Sequence, residues 1–169
     1  MEIIIKNQGK VRDLGNDNVG SLSELEIQDS SLERVNEVNL KVNQLYINKC
    51  VITSCRFTNA DFSDGIIKQT TWKDCDLRAI NFSDSKIESC QFINCKLDDA
   101  ILRSTVIKKV IFKNCDLSGL DFSNANIKQL DIRGSKIIGI KIDPKLYPQI
   151  TIDHTQAIYF ASLSGLIIK

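Results

Sequence analysis

The sequence is poor in the residues on which most chemistry is built. Among 169 residues there is one histidine, His154, one methionine and one tryptophan. A single imidazole leaves no multi-histidine metal site and no conventional histidine relay. The only prolines, Pro144 and Pro148, sit near the end, so no proline break interrupts residues 1–143. Neither sign of charge is in excess: 22 Lys plus Arg stand against 21 Asp plus Glu, a net of +1. That balance argues against a strongly basic nucleic-acid binder and against a strongly acidic chain. No run of about 18 apolar residues is present for a membrane span. The start, MEIIIKNQGK, lacks the basic-then-apolar pattern of a signal peptide. The expected location is therefore cytoplasmic, with reduced cysteines and no membrane partner. What remains is 43% hydrophobic and long enough for one domain with a packed core.

What the chain holds in quantity is periodic. Six cysteines in a small chain suggest disulfides or zinc, yet Cys50, Cys55, Cys75, Cys90, Cys95 and Cys115 all fall at multiples of five. Two residues further on, every position ending in 2 or 7 from Val42 to Ile142 is apolar. Six of the seven phenylalanines and the tryptophan fall in that class. Positions ending in 0 or 5 over the same stretch are small or apolar and uncharged. Such self-similarity has to be treated as a repeat before anything else. A period of five fits neither a helix face, at 3.6, nor a strand face, at 2.0. Two inward residues separated by one outward residue make a short edge, and the next pair follows a corner. Four such edges close a right-angled coil of about 20 residues, with coils stacked at about 4.8 Å.

The stretches ADFSD (60–64), CDLRA (75–79), INFSD (80–84), CDLSG (115–119) and LDFSN (120–124) share one order. A small residue is followed by Asp or Asn, then Leu or Phe, then two polar residues. In this the sequence resembles the pentapeptide-repeat family. The resemblance implies an all-β fold, a right-handed quadrilateral β-helix of about six coils over residues 20–144, on the order of 30 Å long. The weakest unit is 35–39, where Glu37 takes a centre position, so the first two coils are expected to be irregular or shifted in register. Residues 1–19 give no repeat signal and read as an N-terminal cap or irregular segment.

Stacking every twentieth residue gives columns. Cys55, Cys75, Cys95 and Cys115 stand above one another. Redox or metal chemistry is one reading. Small apolar fill in a tight corner is the favoured one, because parallel side chains suit disulfide geometry poorly and thiols in an apolar core are poor nucleophiles. Outside, Arg56, Asp76, Lys96, Asp116 and Lys136 alternate in sign and should pair from coil to coil, by roughly 0.2–1 kcal/mol each. One face carries Lys49, Lys68, Lys86, Lys108, Lys109 and Lys128 against Glu88. Its neighbour carries Asp61, Asp64, Asp84, Asp121 and Asp143 against Lys41, Arg103 and Lys141. The near-zero total thus divides into a basic face beside a mildly acidic one, each either a solvated surface or a binding surface. Ile101, Val106 and Ile111 project outward on consecutive edges, either as a contact belt or as tolerated strand residues.

The last residues, 145–169, read as a C-terminal cap with a short α-helix at about 154–164. Solenoids need caps, since bare strand edges invite aggregation. Asp153 and Gln156 approximate a capping box, and Gly165 should end the helix. Leu166, Ile167 and Ile168 follow as an apolar tail, and His154 reads as an exposed first-turn residue. LDIRGSKIIGIKID (130–143), the D-x-x-Q-A at 153–157, Gly165 and that tail are similar to the C-terminal end of the quinolone-resistance (Qnr) and MfpA type of pentapeptide-repeat protein, which act on DNA gyrase and topoisomerase IV. That resemblance implies a homodimer formed through Ala157, Ile158, Phe160, Ala161 and Leu163. It also implies a DNA-like surface offered to the topoisomerase, with Asp61, Asp64, Asp84 and Asp121 as its contacts.

The function expected is therefore that of a non-enzymatic DNA mimic. The competing reading is a general protein-interaction scaffold with no topoisomerase role, bound through the basic face or the outward belt. Direct nucleic-acid binding is weaker, because no aromatic platform accompanies the lysines. No nucleophile pair, phosphate loop or zinc spacing points to an enzyme, a metal or a cofactor.

Overall fold

The computed structural model describes residues 2–6, 10–11 and 21–166. Their organising feature is a burial rhythm. Between Leu22 and Ile140 every residue numbered in 0, 2, 5 or 7 is buried, with half-buried Glu37 as the one exception. Residues 20 apart pair in parallel, Trp72 opposite Phe92 and Ile87 opposite Ile107. The result is a β-solenoid of about 7 parallel turns with a short C-terminal helix.

The four sides of the coil are not equivalent. The second and third faces, centred on Ile27 to Ile127 and on Leu32 to Ile132, are strand-built and belong to one 13-stranded sheet among the described residues. The strand Val106–Lys113 runs through the corner between them. The first and fourth faces, centred on Leu22 to Phe122 and on Phe57 to Ile137, pair mostly through single bridges such as Asp61 with Asn81 and Arg56 with Asp76. Reverse turns follow, in which the Ile80 N–H donates to the Leu77 carbonyl at 3.2 Å.

The corners explain a residue preference. Among the described residues every non-glycine residue with positive φ has a number ending in 4 or 9, from Asp29 at 46° to Gln129 at 61°, and Gly119, Gly134 and Gly139 join them. The left-handed region costs most side chains about 1–2 kcal/mol, and Asn, Asp and Gly least. Those residue types accordingly crowd the positions, although Arg34, Lys49, Ala79 and Lys109 are held there too.

The interior is solid. Trp72 stacks on Phe92 with ring centroids 5.9 Å apart, and Phe92 on Phe112 at 4.8 Å. Phe62 and Phe82 make a tilted pair at 6.0 Å. Each buried side chain of this size contributes roughly 1.5–3 kcal/mol.

The first coil differs from the expectation. Glu2–Lys6 pairs in parallel with Glu24–Gln28, Ile5 opposite Ile27, and Lys10–Val11 pairs with Ser31–Leu32. The described parts of segment 1–19 are thus strands that add a coil to the six counted from the repeat. Their register is one or two residues out of step with the later coils, which is why the period of five does not reach them. Glu37 causes no shift: the Asn36–Arg56 bridge keeps the common register, and so does Ser21 opposite Lys41. Residues 1, 7–9, 12–20 and 167–169, the last including most of the apolar tail, lie outside the described residues.

The C-terminal end is closed by three pieces: a 3-10 turn at Pro144–Gln149, the strand Ile150–Thr151 and the helix α1 at His154–Leu163. Asp153 caps α1 and forms a full capping box with Gln156. The Thr155 hydroxyl and the Gly134 and Gln156 N–H groups hold the Asp153 carboxyl well below the usual range. Gln156 has a second task. Its side-chain amide donates to the Ile132 carbonyl at 2.7 Å and the Ser135 carbonyl at 2.8 Å, both buried at the end of the last coil.

Candidate interaction faces

The inward cysteines, serines and threonines are occupied with the backbone, whereas the buried Trp72 Nε1 has no partner among the described residues. The Cys50 and Cys90 thiols each reach a carbonyl two residues back, Asn48 and Glu88, at 3.2 Å. Thr105 and Ser85 use the same corner position to donate to the Phe82 and Phe62 carbonyls, at 2.7 and 3.0 Å. Cysteine therefore stands where serine and threonine also stand, as a small side chain with a weak donor. All six cysteines are buried and free. Burial pushes the Cys90 thiol up to about 11. In the four-membered stack, Cys95 is pushed up to about 12 by its neighbour Cys115 and by burial, while Cys115 is held down by its hydrogen bond with Cys95. Among the described residues no group of three His, Cys, Asp or Glu is placed to hold a metal ion. Among the described residues no helix is long and apolar enough to cross a membrane. His154 opens α1 and is exposed.

The four aspartates singled out from the sequence do not form one acidic surface. Asp64 and Asp84 are exposed corner residues one coil apart. Asp61 is half-buried and accepts from the Asn81 side chain at 2.9 Å. Asp121 is only 4% exposed. Its carboxylate accepts from Arg103 Nε at 2.8 Å and from the Ser123 N–H at 2.9 Å, with Lys141 Nζ at 3.9 Å. Burial works to raise its pKa, but Ser123 and Arg103 prevail and hold it below the usual carboxylate range. A buried, paired carboxylate presents little charge to a partner, so Asp121 is removed from the contact set.

The alternating ladder is only partly paired, since Lys96 reaches neither Asp76 nor Asp116 within salt-bridge distance, and its carboxylates are shared. Arg56 lies 3.9 Å from Asp76 and Lys136 lies 3.2 Å from Asp116, each one coil away. A closer competitor is Arg78, which grips Asp76 at 2.8 and 2.7 Å from two residues along its own unit. Arg133 holds Asp131 in the same way, at 2.7 Å. This same-unit fork was not anticipated, although the D-x-R spacing in CDLRA and LDIRG carried it.

The second face is basic. Glu88 is approached by Lys86 and Lys108 at 3.4 Å and by Lys68 at 4.0 Å, so one carboxylate gathers three ammonium groups from three coils. Among the described residues Lys49, Lys109 and Lys128 have no carboxylate within salt-bridge distance. Exposed aliphatic residues share this region. Ile66 and Val106 lie on the second face, and Val51 and Ile111 just round the corner on the third. Ile101, by contrast, is half-buried on the first face. At the C-terminal end of the same corner lies a shallow groove of about 380 Å³, lined by Lys109, Ile111, Gln129, Asp131 and Pro148 to Thr151.

The proposed dimer residues also divide. Phe160 is 6% exposed and packs edge-on against Tyr147 at 5.0 Å, so its ring belongs to the core of its own chain rather than to an interface. Helix α1 turns this side inward because Gln156, one turn earlier, is anchored to the coil end. Ala161 is half-buried; Ala157, Leu163 and the 62% exposed Ile158 remain outside, with Leu166 beyond them.

A family profile described as "Pentapeptide repeat region" matches residues 85–157. No curated protein matches the sequence. Among solved structures, the chain is similar to the pentapeptide repeat protein Rfr23 from the cyanobacterium Cyanothece 51142, at 15% identity and a TM-score of 0.49, covering 70% of this chain and 88% of that one. It is also similar to HetL, a pentapeptide repeat protein involved in heterocyst differentiation regulation from Nostoc sp. strain PCC 7120, at 10% identity and 0.36, covering 83% and 85%. A third likeness is to QnrB1, a plasmid-mediated fluoroquinolone resistance protein, at 15% identity and 0.34, covering 99% of each chain.

Proposed function

The chain belongs to the pentapeptide-repeat family, and from that premise we propose that it is a non-catalytic binding rod for a protein partner. The observation that carries this reading is the constant register of the coils from Ser21 onwards. Outward side chains recur in straight columns at steps of about 4.8 Å, a rigid display for recognition. The cysteine, serine and threonine side chains of the interior are turned to backbone carbonyls, so the chemistry available to a partner is on the outer columns. The test is a photo-crosslinking amino acid placed at Ile66, on the second face, or at Asn124, on the first, in cells that encode the protein. Reproducible adducts with one protein support the rod; no adduct at either position overturns it.

A second reading, a Qnr-like DNA mimic that engages DNA gyrase or topoisomerase IV, is favoured by Asp64 and Asp84, exposed and aligned along the axis. Buried Asp121 and half-buried Asp61 weaken it. Supercoiling and quinolone-stabilised cleavage assays with purified protein decide it: inhibition or protection supports mimicry, and no effect at high excess eliminates it. Either reading accommodates a homodimer through the outer side of α1, where Ile158, Leu163 and Leu166 are exposed.

A further inference from the structure

The basic corner between the second and third faces has a composition that neither reading above uses, and we propose that it is the docking surface for an acidic protein segment carrying apolar side chains. The assignment rests on the binding-rod reading and names its surface and the chemistry of its partner. Three observations converge on this corner. First, from Tyr46 to Gln129 the outward residues of the second face include six lysines and a single carboxylate, Glu88, so this stretch, above the acidic residues Glu24, Glu26 and Asp29 of the coil before it, holds more positive charge than its own carboxylate neutralises. Second, the exposed aliphatic side chains are threaded between those lysines. Val51 follows Lys49, Ile66 precedes Lys68, and Lys108 and Lys109 lie between Val106 and Ile111. Third, the corner ends in the groove of about 380 Å³ beside Lys109 and Ile111, with Ile150 and Pro148 as its further wall.

The mixture selects the partner. A phosphate backbone would use the charges but would leave Val106 and Ile111 facing a polar ribbon. All the cations of the second face are lysines, without the guanidinium forks that suit phosphate, and its one aromatic from Tyr46 to Gln129, Tyr46 itself, is half-buried, a poor platform for stacking bases. An acidic segment with one or two apolar side chains satisfies both components: its carboxylates meet Lys49, Lys109 and Lys128, and an apolar side chain enters the groove against Ile111. Five coils at about 4.8 Å give a strip roughly 19 Å long, which corresponds to a small, transient interface rather than a permanent one.

The experiment uses the full chain and three fluorescent probes, read by anisotropy. One is a peptide alternating Glu with Leu and Phe, one is poly-glutamate of equal charge, and one is a DNA duplex of about 20 base pairs. The mixed peptide should bind at least tenfold more tightly than poly-glutamate, and its affinity should fall as salt rises from about 50 to 300 mM. Lys109→Glu with Lys128→Glu should weaken it tenfold or more, and Ile111→Ser should weaken the mixed peptide while leaving poly-glutamate unchanged. These are surface positions, and the melting temperature of each variant confirms that the fold is kept. Equal binding of poly-glutamate, tighter binding of duplex DNA, or no binding of the mixed peptide at millimolar concentration each overturns the assignment. Crosslinked adducts at Asn124 but none at Ile66 would overturn it as well while leaving the binding rod itself standing.

Discussion

Removing the Gln156 amide should open the C-terminal end of the rod. In Gln156→Ala, the Ile132 and Ser135 carbonyls lose donors at 2.7 and 2.8 Å, and the Asp153 N–H loses its acceptor at 3.0 Å. A neutral hydrogen bond contributes about 0.5–1.5 kcal/mol net, and a buried group left without a partner costs about 1–3 kcal/mol. The Ser135 carbonyl is orphaned, the Ile132 carbonyl keeps only the Ser135 N–H at 3.2 Å, and half of the capping box is lost, which together amount to about 3 kcal/mol. For a chain of this size that corresponds to a fall in melting temperature of roughly 6–12 °C, provided the cap unfolds with the rod. Hydrogen exchange separates the alternatives: if the cap frays first, amides of α1 and of Ile150–Thr151 lose protection before those of the central coils. Gln156→Glu sharpens the test. An ionised carboxylate cannot donate to either carbonyl, so this variant should be weakest at neutral pH and recover in part on acidification. A loss below about 0.5 kcal/mol for Gln156→Ala, or no pH dependence for Gln156→Glu, would refute the reasoning that this side chain seals the last coil.

Four further outcomes are expected. Phe160→Asp should lower the melting temperature sharply, because the ring packs on Tyr147 within its own chain; Ile158→Asp should leave stability within about 0.5 kcal/mol and, if the outer side of α1 joins two copies, halve the mass seen by light scattering. Stability should decline as pH rises from about 9 towards 11. Over that window unfolded thiols lose their protons while the Cys90 thiol, pushed up to about 11 by burial, keeps its own; Cys90→Ser, which retains a donor to the Glu88 carbonyl, should remove its share of the decline, as equilibrium denaturation across that pH range would measure. Ala79→Gly should stabilise by about 0.5–1 kcal/mol in chemical denaturation, because Ala79 is held at φ 53° where glycine carries no steric cost. A thiol reagent should modify none of the six cysteines until the protein is denatured.

Much of this architecture was legible along the chain because a solenoid is local in sequence. Each coil packs on the coil 20 residues away, so the spacing of Phe, Ile and Cys carried the burial pattern directly. The capping box was equally legible, since Asp153 and Gln156 lie within one helical turn. The charged surface was less so. The position of Asp121 in the repeat marks it as outward, but nothing in that position states that Arg103 will fold over it from 18 residues away. The opening strands were hidden for a related reason, since their offset from the next coil departs from the common 20.

Sequence by itself determined the solid core, the parallel register and the corner residues. A period of five leaves a chain of alternating inward pairs only one way to bury them while satisfying its backbone hydrogen bonds. Tertiary structure decided which charges are spent and which are offered. Glu88 gathers lysines from three coils, Asp121 is buried beneath Arg103, and Phe160 turns into its own core. Those outcomes depend on long side chains choosing among several neighbours at similar distances, a choice of about 1 kcal/mol or less that no spacing encodes.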